Sequence, residues 1–192
     1  MQWFLLGLGV NTLVAYLGWK RLDAERGRQE VLSVLTSVTV WVSYLGYSSV
    51  TVAAATFGIW PFPIGVWVSL GLGSAAIGLG ILLFVAGVIS FGSFSRISGT
   101  VNEGLVTTGI YQWSRNPQNV GWMLFLLGTA IIRQSGLALL LTALFWIGFV
   151  LYVRQEERQL EARFDDEYRL YLRSSHRYYV PFCAVIHLMK IR

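Results

Sequence analysis

The chain has 192 residues, of which 55% are hydrophobic and 13% charged, with a formal net charge of +5. A soluble domain carries about 25% charged residues to cover its core, so an ordinary soluble fold is excluded. Nucleic-acid binding is excluded as well, because the basic residues flank apolar stretches and form no isolated patch.

A membrane-spanning helix needs about 20 mostly apolar residues. The first such stretch runs from Trp3 to Trp19. It lacks a basic start and a small-residue cleavage site, so it reads as a retained helix and not a signal peptide. The second runs from Val31 to about Phe57, and the third from about Ile64 to Phe91. In the third, Gly71 with Ala75, Ser74 with Gly78, and Ala76 with Gly80 stand four apart, a spacing that lets helix backbones approach closely. The fourth covers about Val120 to Ile132 and the fifth about Gly136 to Val153, with the short link Arg133-Gln134-Ser135-Gly136 making them a helical hairpin. Beyond Arg154 the pattern stays helical but turns polar: Leu160, Phe164, Tyr168 and Tyr171 recur at helical spacing with charges between them, and no Gly or Pro interrupts the run to Arg173.

The expected fold is therefore all-α: a polytopic membrane bundle of about five transmembrane helices with a C-terminal amphipathic helix. It forms a single membrane domain over 1–192, with three helices in 1–91 and the chemistry-bearing region in 92–182. Of the 15 Lys and Arg residues, only Arg133 falls outside the loops that five spans place on one side, and all ten acidic residues share that side. The positive-inside rule makes that side cytoplasmic and puts the N-terminus outside. Cys183 is alone, so no internal disulfide is possible.

Two charged segments meet the membrane. The first leads from Gly104 through Gly109 and Arg115 into the fourth helix. Pro117 suits the first helical turn, and Asn116 is the expected N-cap. Arg115 stands beside free helix N–H groups that favour a carboxylate or phosphate, although a snorkelling arginine in a capped turn would look the same. The second segment begins with Glu156 and Glu157, where the fifth helix leaves the bilayer. Neighbouring helical residues point about 100° apart, so the two carboxylates cannot share a partner. A solvated charge run is the plain alternative.

Taken together, the segments resemble the membrane methyltransferases of the isoprenylcysteine carboxyl methyltransferase and phospholipid methyltransferase type. The family carries a Leu-Val-x-x-Gly-x-Tyr lead-in, then Arg-His-Pro-x-Tyr-x-Gly, then Glu-Glu-x-x-Leu-x-x-x-Phe-Gly-x-x-Tyr-x-x-Tyr, a basic residue and Pro. Here Leu105, Val106, Gly109 and Tyr111 precede Arg115-Asn116-Pro117-Gln118-Asn119-Val120-Gly121. Glu156-Glu157, Leu160, Phe164, Tyr168, Tyr171, Arg177 and Pro181 follow. The resemblance covers roughly 88–182. It implies methyl transfer from S-adenosylmethionine at the cytoplasmic face, with Leu105, Val106, Gly109, Tyr111, Arg115, Asn116, Pro117, Gly121, Glu156 and Glu157 on the cofactor site. Gly92 resembles the glycine ending the preceding helix. Three positions depart from the pattern: Asn116 for His, Asn119 for Tyr, and Asp165 for Gly.

A sulfonium methyl is already electrophilic, so the enzyme's task is alignment and exclusion of water. A carboxylate or thiolate acceptor needs no base, whereas an amine must first lose a proton. The motif region has no histidine; His176 and His187 lie elsewhere, and Glu156 or Glu157 could serve as base. Arg115 and Glu157 are the expected catalytic pair, with Arg177 and Arg96 as anchors for an anionic acceptor group. The expected partners are membrane lipids and a lipophilic or prenylated acceptor of the isoprenylcysteine carboxylate kind, without nucleic acid or metal. A non-catalytic membrane scaffold or small transporter is the competing reading. A reductase would need more nucleotide-binding chain than 192 residues leave.

Overall fold

The computed structural model describes residues 2–26, 31–101 and 104–178. Pro181, Cys183, His187, Lys190, Arg192 and Arg28 lie outside the described residues. Six helices follow in order: α1 (Gln2–Arg26), α2 (Val34–Thr56), α3 (Val66–Phe91), the single turn α4 (Phe94–Ile97), α5 (Pro117–Ile132) and α6 (Gly136–Ser174). A short 3-10 turn, Gly109–Gln112, precedes α5. Among the described residues no strand interrupts the bundle.

The expected all-helical architecture is thus the one observed. By length and composition, α2, α3 and α6 can cross a membrane. Two of the five expected spans fall short of that measure. α5 has 16 residues, about 24 Å of helix against a hydrocarbon core of about 30 Å. α1 is 25 residues long but carries Lys20, Arg21, Asp23, Glu25 and Arg26 in its last turns. Large apolar side chains face outward along the bundle: Trp67 is 86% exposed, Ile89 72% and Val34 70%. Water would penalise such a surface and lipid does not.

α3 and α5 run antiparallel at backbone contact. A Cβ on Gly121 would sit 2.5 Å from Gly80 O and 2.6 Å from Phe84 N; one on Gly128 would sit 2.5 Å from Gly73 O. The glycines that pack are therefore Gly73 and Gly80 against Gly121 and Gly128, seven apart on each helix. Of the glycines expected from the four-residue spacing, Gly80 makes this contact, while Gly71 and Gly78 meet nothing within 4 Å. A seven-residue spacing returns to the same stripe after about two turns, whereas a lone four-residue pair fits several faces.

The α5–α6 hairpin is pinned at its tip. Ser135 Oγ donates to Ala54 O at 3.0 Å or Ile59 O at 2.8 Å, Gly136 N donates to Trp60 O at 2.8 Å, and Arg133 Nη2 to Thr56 O at 2.8 Å. Arg133 therefore belongs to the α2–α3 end. At the opposite end Gln155 Nε2 donates to Asp23 Oδ1 at 2.5 Å and Leu32 N to Gly99 O at 2.8 Å. That end gathers the charged segments.

α6 is 39 residues long, about twice the bilayer core, so its second half projects beyond the membrane. It is not the unbroken helix that the sequence suggests. Asp165 takes φ 38°, ψ −111°, a kink inside the helix. This is the position where the family pattern carries Gly, the residue that adopts positive φ without penalty.

Candidate active site

The segment entering α5 is set by local geometry. Gly109 has φ 61° and lies against Ser90 of α3, where a side chain would collide with the serine hydroxyl. Ile110 N donates to Ser90 Oγ at 3.3 Å, which buries Ile110 completely and turns Tyr111 against Phe91, ring centroids 5.2 Å apart. Pro117 opens α5, as its missing N–H allows. Asn116 occupies the N-cap position but makes no capping bond; its Nδ2 donates to Arg177 O at 3.1 Å. The capping expectation is corrected because the C-terminal strand of chain lies within reach.

That chain, residues 175–177, runs beside 113–115. Arg115 N donates to His176 O at 2.8 Å, and His176 N to Trp113 O at 3.0 Å. Arg115 Nη1 donates to Ser175 O at 2.5 Å. Tyr171 OH donates to Tyr111 O at 2.8 Å. The exit of α6 is thereby zipped onto the entrance of α5.

Glu157 closes the join. Its Oε1 lies 3.1 Å from Arg115 Nε and 3.0 Å from Arg177 Nε, and its Oε2 lies 2.6 Å from Arg177 Nη2. The Arg115 and Glu157 side chains are 10% and 12% exposed, that of Arg177 40%. A carboxylate held by two guanidiniums is an anchor. Three phenols stand in the same region, Tyr168 within the field of Glu157 and Tyr111 within that of Glu156. Burial pushes Tyr171 up to about 12, partly offset by the hydrogen bond with Ser175 and the charge of Arg115. Burial raises Tyr111 and Tyr168 well above the usual phenol range, Glu156 adding for Tyr111 and Glu157 for Tyr168. All three stay protonated at neutral pH, and Tyr171 OH is the donor that meets Tyr111 O.

Beneath the join lies a cavity of about 790 Å³. One end is polar, walled by Arg96, Arg115, Asn116, Gln118, Asn119, Glu156 and Glu157; the other runs between α2, α3 and α6 past Trp41, Tyr44, Phe84 and Phe145. Of the residues singled out by sequence, Arg96, Leu105, Val106, Tyr111, Arg115, Asn116, Glu156 and Glu157 line it. Gly92, Gly109, Pro117, Gly121 and Arg177 do not. Gly92 ends α3 with φ 81°, Gly109 seats the turn on Ser90, Gly121 lets α5 meet α3, and Arg177 holds Glu157. The aromatic arm went unread in the sequence, although Trp41, Tyr44 and Tyr47 recur at one-turn spacing on α2. Ser175 and His176 carried no signal, since they contribute backbone carbonyls.

A sequence profile of the phospholipid methyltransferase family matches residues 68–167, just over half the chain. The chain belongs to that family. The matched region takes in α3, the α5 entrance, the hairpin and the paired glutamates. The protein-S-isoprenylcysteine O-methyltransferase of Saccharomyces cerevisiae is 36% identical over 80 residues, covering 40% of this chain and 34% of that protein. This chain therefore spans about a third of that relative's length. No solved structure matches the chain.

Proposed function

We propose that this member of the phospholipid methyltransferase family is an S-adenosylmethionine-dependent methyltransferase acting on a lipophilic acceptor of the isoprenylcysteine carboxylate type. One observation carries the reading: the Arg115 turn and the Glu157 exit, 42 residues apart, close over a single cavity of about 790 Å³. That volume falls within the roughly 300–1,000 Å³ of ligand pockets.

The residues present fit the cofactor. The Glu156 carboxylate can accept from ribose hydroxyls and balance a cationic sulfonium, while Leu105 and Val106 offer apolar surface and Tyr111 and Asn116 polar contacts. When bound, S-adenosylmethionine supplies an activated methyl group. Arg115 and Arg177, fixed by Glu157, hold the α5 entrance and the chain after α6 together over the cavity and exclude water. Glu157 is engaged twice and the tyrosines stay protonated, which favours an acceptor that needs no deprotonation. The aromatic arm suits an apolar tail entering from the bilayer. On this reading the chain is one membrane domain, with 1–91 framing the arm, 92–182 carrying the chemistry, and the charged end cytoplasmic.

Calorimetry of S-adenosylmethionine binding to detergent-purified protein tests the proposal. Binding to the wild type, lost in Glu157→Ala, is the expected result. A wild type that binds no cofactor leaves the scaffold reading in its place.

A further inference from the structure

α6 turns one stripe outward from the bundle. Leu140, Ile147 and Leu151 are 46%, 57% and 52% exposed. Arg154 and Arg158, also exposed, continue the stripe at spacings of three and four. At about 100° per residue the five positions share an arc of roughly 60°. None of the five lines the cavity.

Depth fits the change from apolar to cationic. At 1.5 Å per residue, Arg154 stands about 27 Å and Arg158 about 33 Å along α6 from its first residue, Gly136, against a hydrocarbon core of about 30 Å. The stripe therefore follows lipid tails and ends in two guanidiniums at headgroup level.

Among the described residues, neither Arg154 nor Arg158 makes an ion pair or a hydrogen bond. The carboxylates within a turn are engaged elsewhere. Glu157, three residues after Arg154, is held by Arg115 and Arg177. Glu161, three after Arg158, and Asp165 beyond it are held by Arg169. The neighbour four residues after Arg154 is Arg158 itself, and like charges at that spacing repel. An anion between them converts the repulsion into charge-assisted hydrogen bonds. Because the same face below lies among tails, the anion at hand is a lipid headgroup.

We propose that the outward stripe of α6 binds an anionic phospholipid, with its phosphate between Arg154 and Arg158 and an acyl chain along Leu151 and Ile147. A zwitterionic lipid brings its own cation to the two arginines. A soluble phosphate gains nothing from the apolar stripe. The site stands apart from the cavity, so its failure leaves the methyl-transfer reading untouched.

Native mass spectrometry of the delipidated full chain, released from detergent, can follow titration with phosphatidylglycerol, phosphatidylcholine of the same chains, and glycerol 3-phosphate. Phosphatidylglycerol should bind the wild type tightest. Arg154→Gln and Arg158→Gln should each weaken it about fivefold and the double variant about thirtyfold, one surface charge contact apiece. Phosphatidylcholine should bind all variants alike. Arg173→Gln, which removes an exposed cation beyond the Asp165 kink, should leave phosphatidylglycerol binding unchanged. Without lipid the double variant should melt no lower than the wild type, because it removes a like-charge pair and no internal partner. The site is overturned if the two lipids bind the wild type equally, if the double variant keeps its phosphatidylglycerol, or if Arg173→Gln costs as much as either stripe variant. Glycerol 3-phosphate binding as tightly as phosphatidylglycerol, or a lipid-free double variant melting well below the wild type, overturns it too.

Discussion

Arg177 grips Glu157 through both carboxylate oxygens, Nε to Oε1 at 3.0 Å and Nη2 to Oε2 at 2.6 Å, while Arg115 shares Oε1 at 3.1 Å. One carboxylate therefore ties the α5 entrance to the chain beyond α6. Its loss is not equivalent to the loss of either arginine.

Glu157→Ala leaves two guanidiniums without their counter-charge, one of them 10% exposed. Arg177→Ala leaves Glu157 paired with Arg115. Thermal unfolding in detergent should show the glutamate variant losing roughly 2–3 kcal/mol and the Arg177 variant about 1 kcal/mol, since the Arg177 side chain is partly solvated. Equal losses would mean that the two arginines do not share the carboxylate.

The α3–α5 contact depends on glycines whose neighbours are backbone atoms and cannot yield. Gly121→Ala places a methyl 2.5 Å from Gly80 O, so about 2 kcal/mol or more of stability should go, with lower expression of folded protein. Gly78→Ala, on a face that meets nothing within 4 Å, should change the melting point little. Matching losses at both positions would contradict this packing.

Asp165 holds φ 38° in mid-helix. Asp165→Gly relieves that strain, worth about 1–3 kcal/mol, against an entropy cost for glycine of about 0.5–1 kcal/mol. It also gives up an exposed contact to Arg169 Nη1 at 3.1 Å, worth at most about 1 kcal/mol. A melting point level with or modestly above the wild type is expected, while Asp165→Ala should melt lower than Asp165→Gly because alanine keeps the strain. Alanine outperforming glycine would show that the kink is not formed in solution.

Thr108 lies on the segment before α5, and Gln134 at the hairpin tip whose amide Nε2 donates to Ile64 O at 3.2 Å. Single cysteines at these positions, in a chain with Cys183→Ser, should react with an impermeant maleimide from opposite sides of the membrane. Labelling from one side would remove the cytoplasmic placement of the charged end and the five-span arrangement with it.

Much of the bundle could be read before any coordinates. Apolar runs located α2, α3, α5 and α6 to within a few residues, because hydropathy over a helix length is a local property. The missed details depend on neighbours. The four-residue pairs at Gly71 and Gly78 looked as good as the one at Gly80, and only the facing helix selects Gly80, together with the unread Gly73. Asn116 looked like a cap until Arg177 O came within 3.1 Å of its amide.

By itself the sequence determined a membrane-embedded helical chain, its family, and the two stretches that matter, since composition, hydropathy and motif order are written along the chain. Tertiary structure decided that Arg115 and Glu157 bind each other, that Arg177 joins them, and that an aromatic arm opens beneath. Ion-pair partners are chosen by distance in space, and local periodicity holds no record of which residues 42 or 20 positions apart will meet.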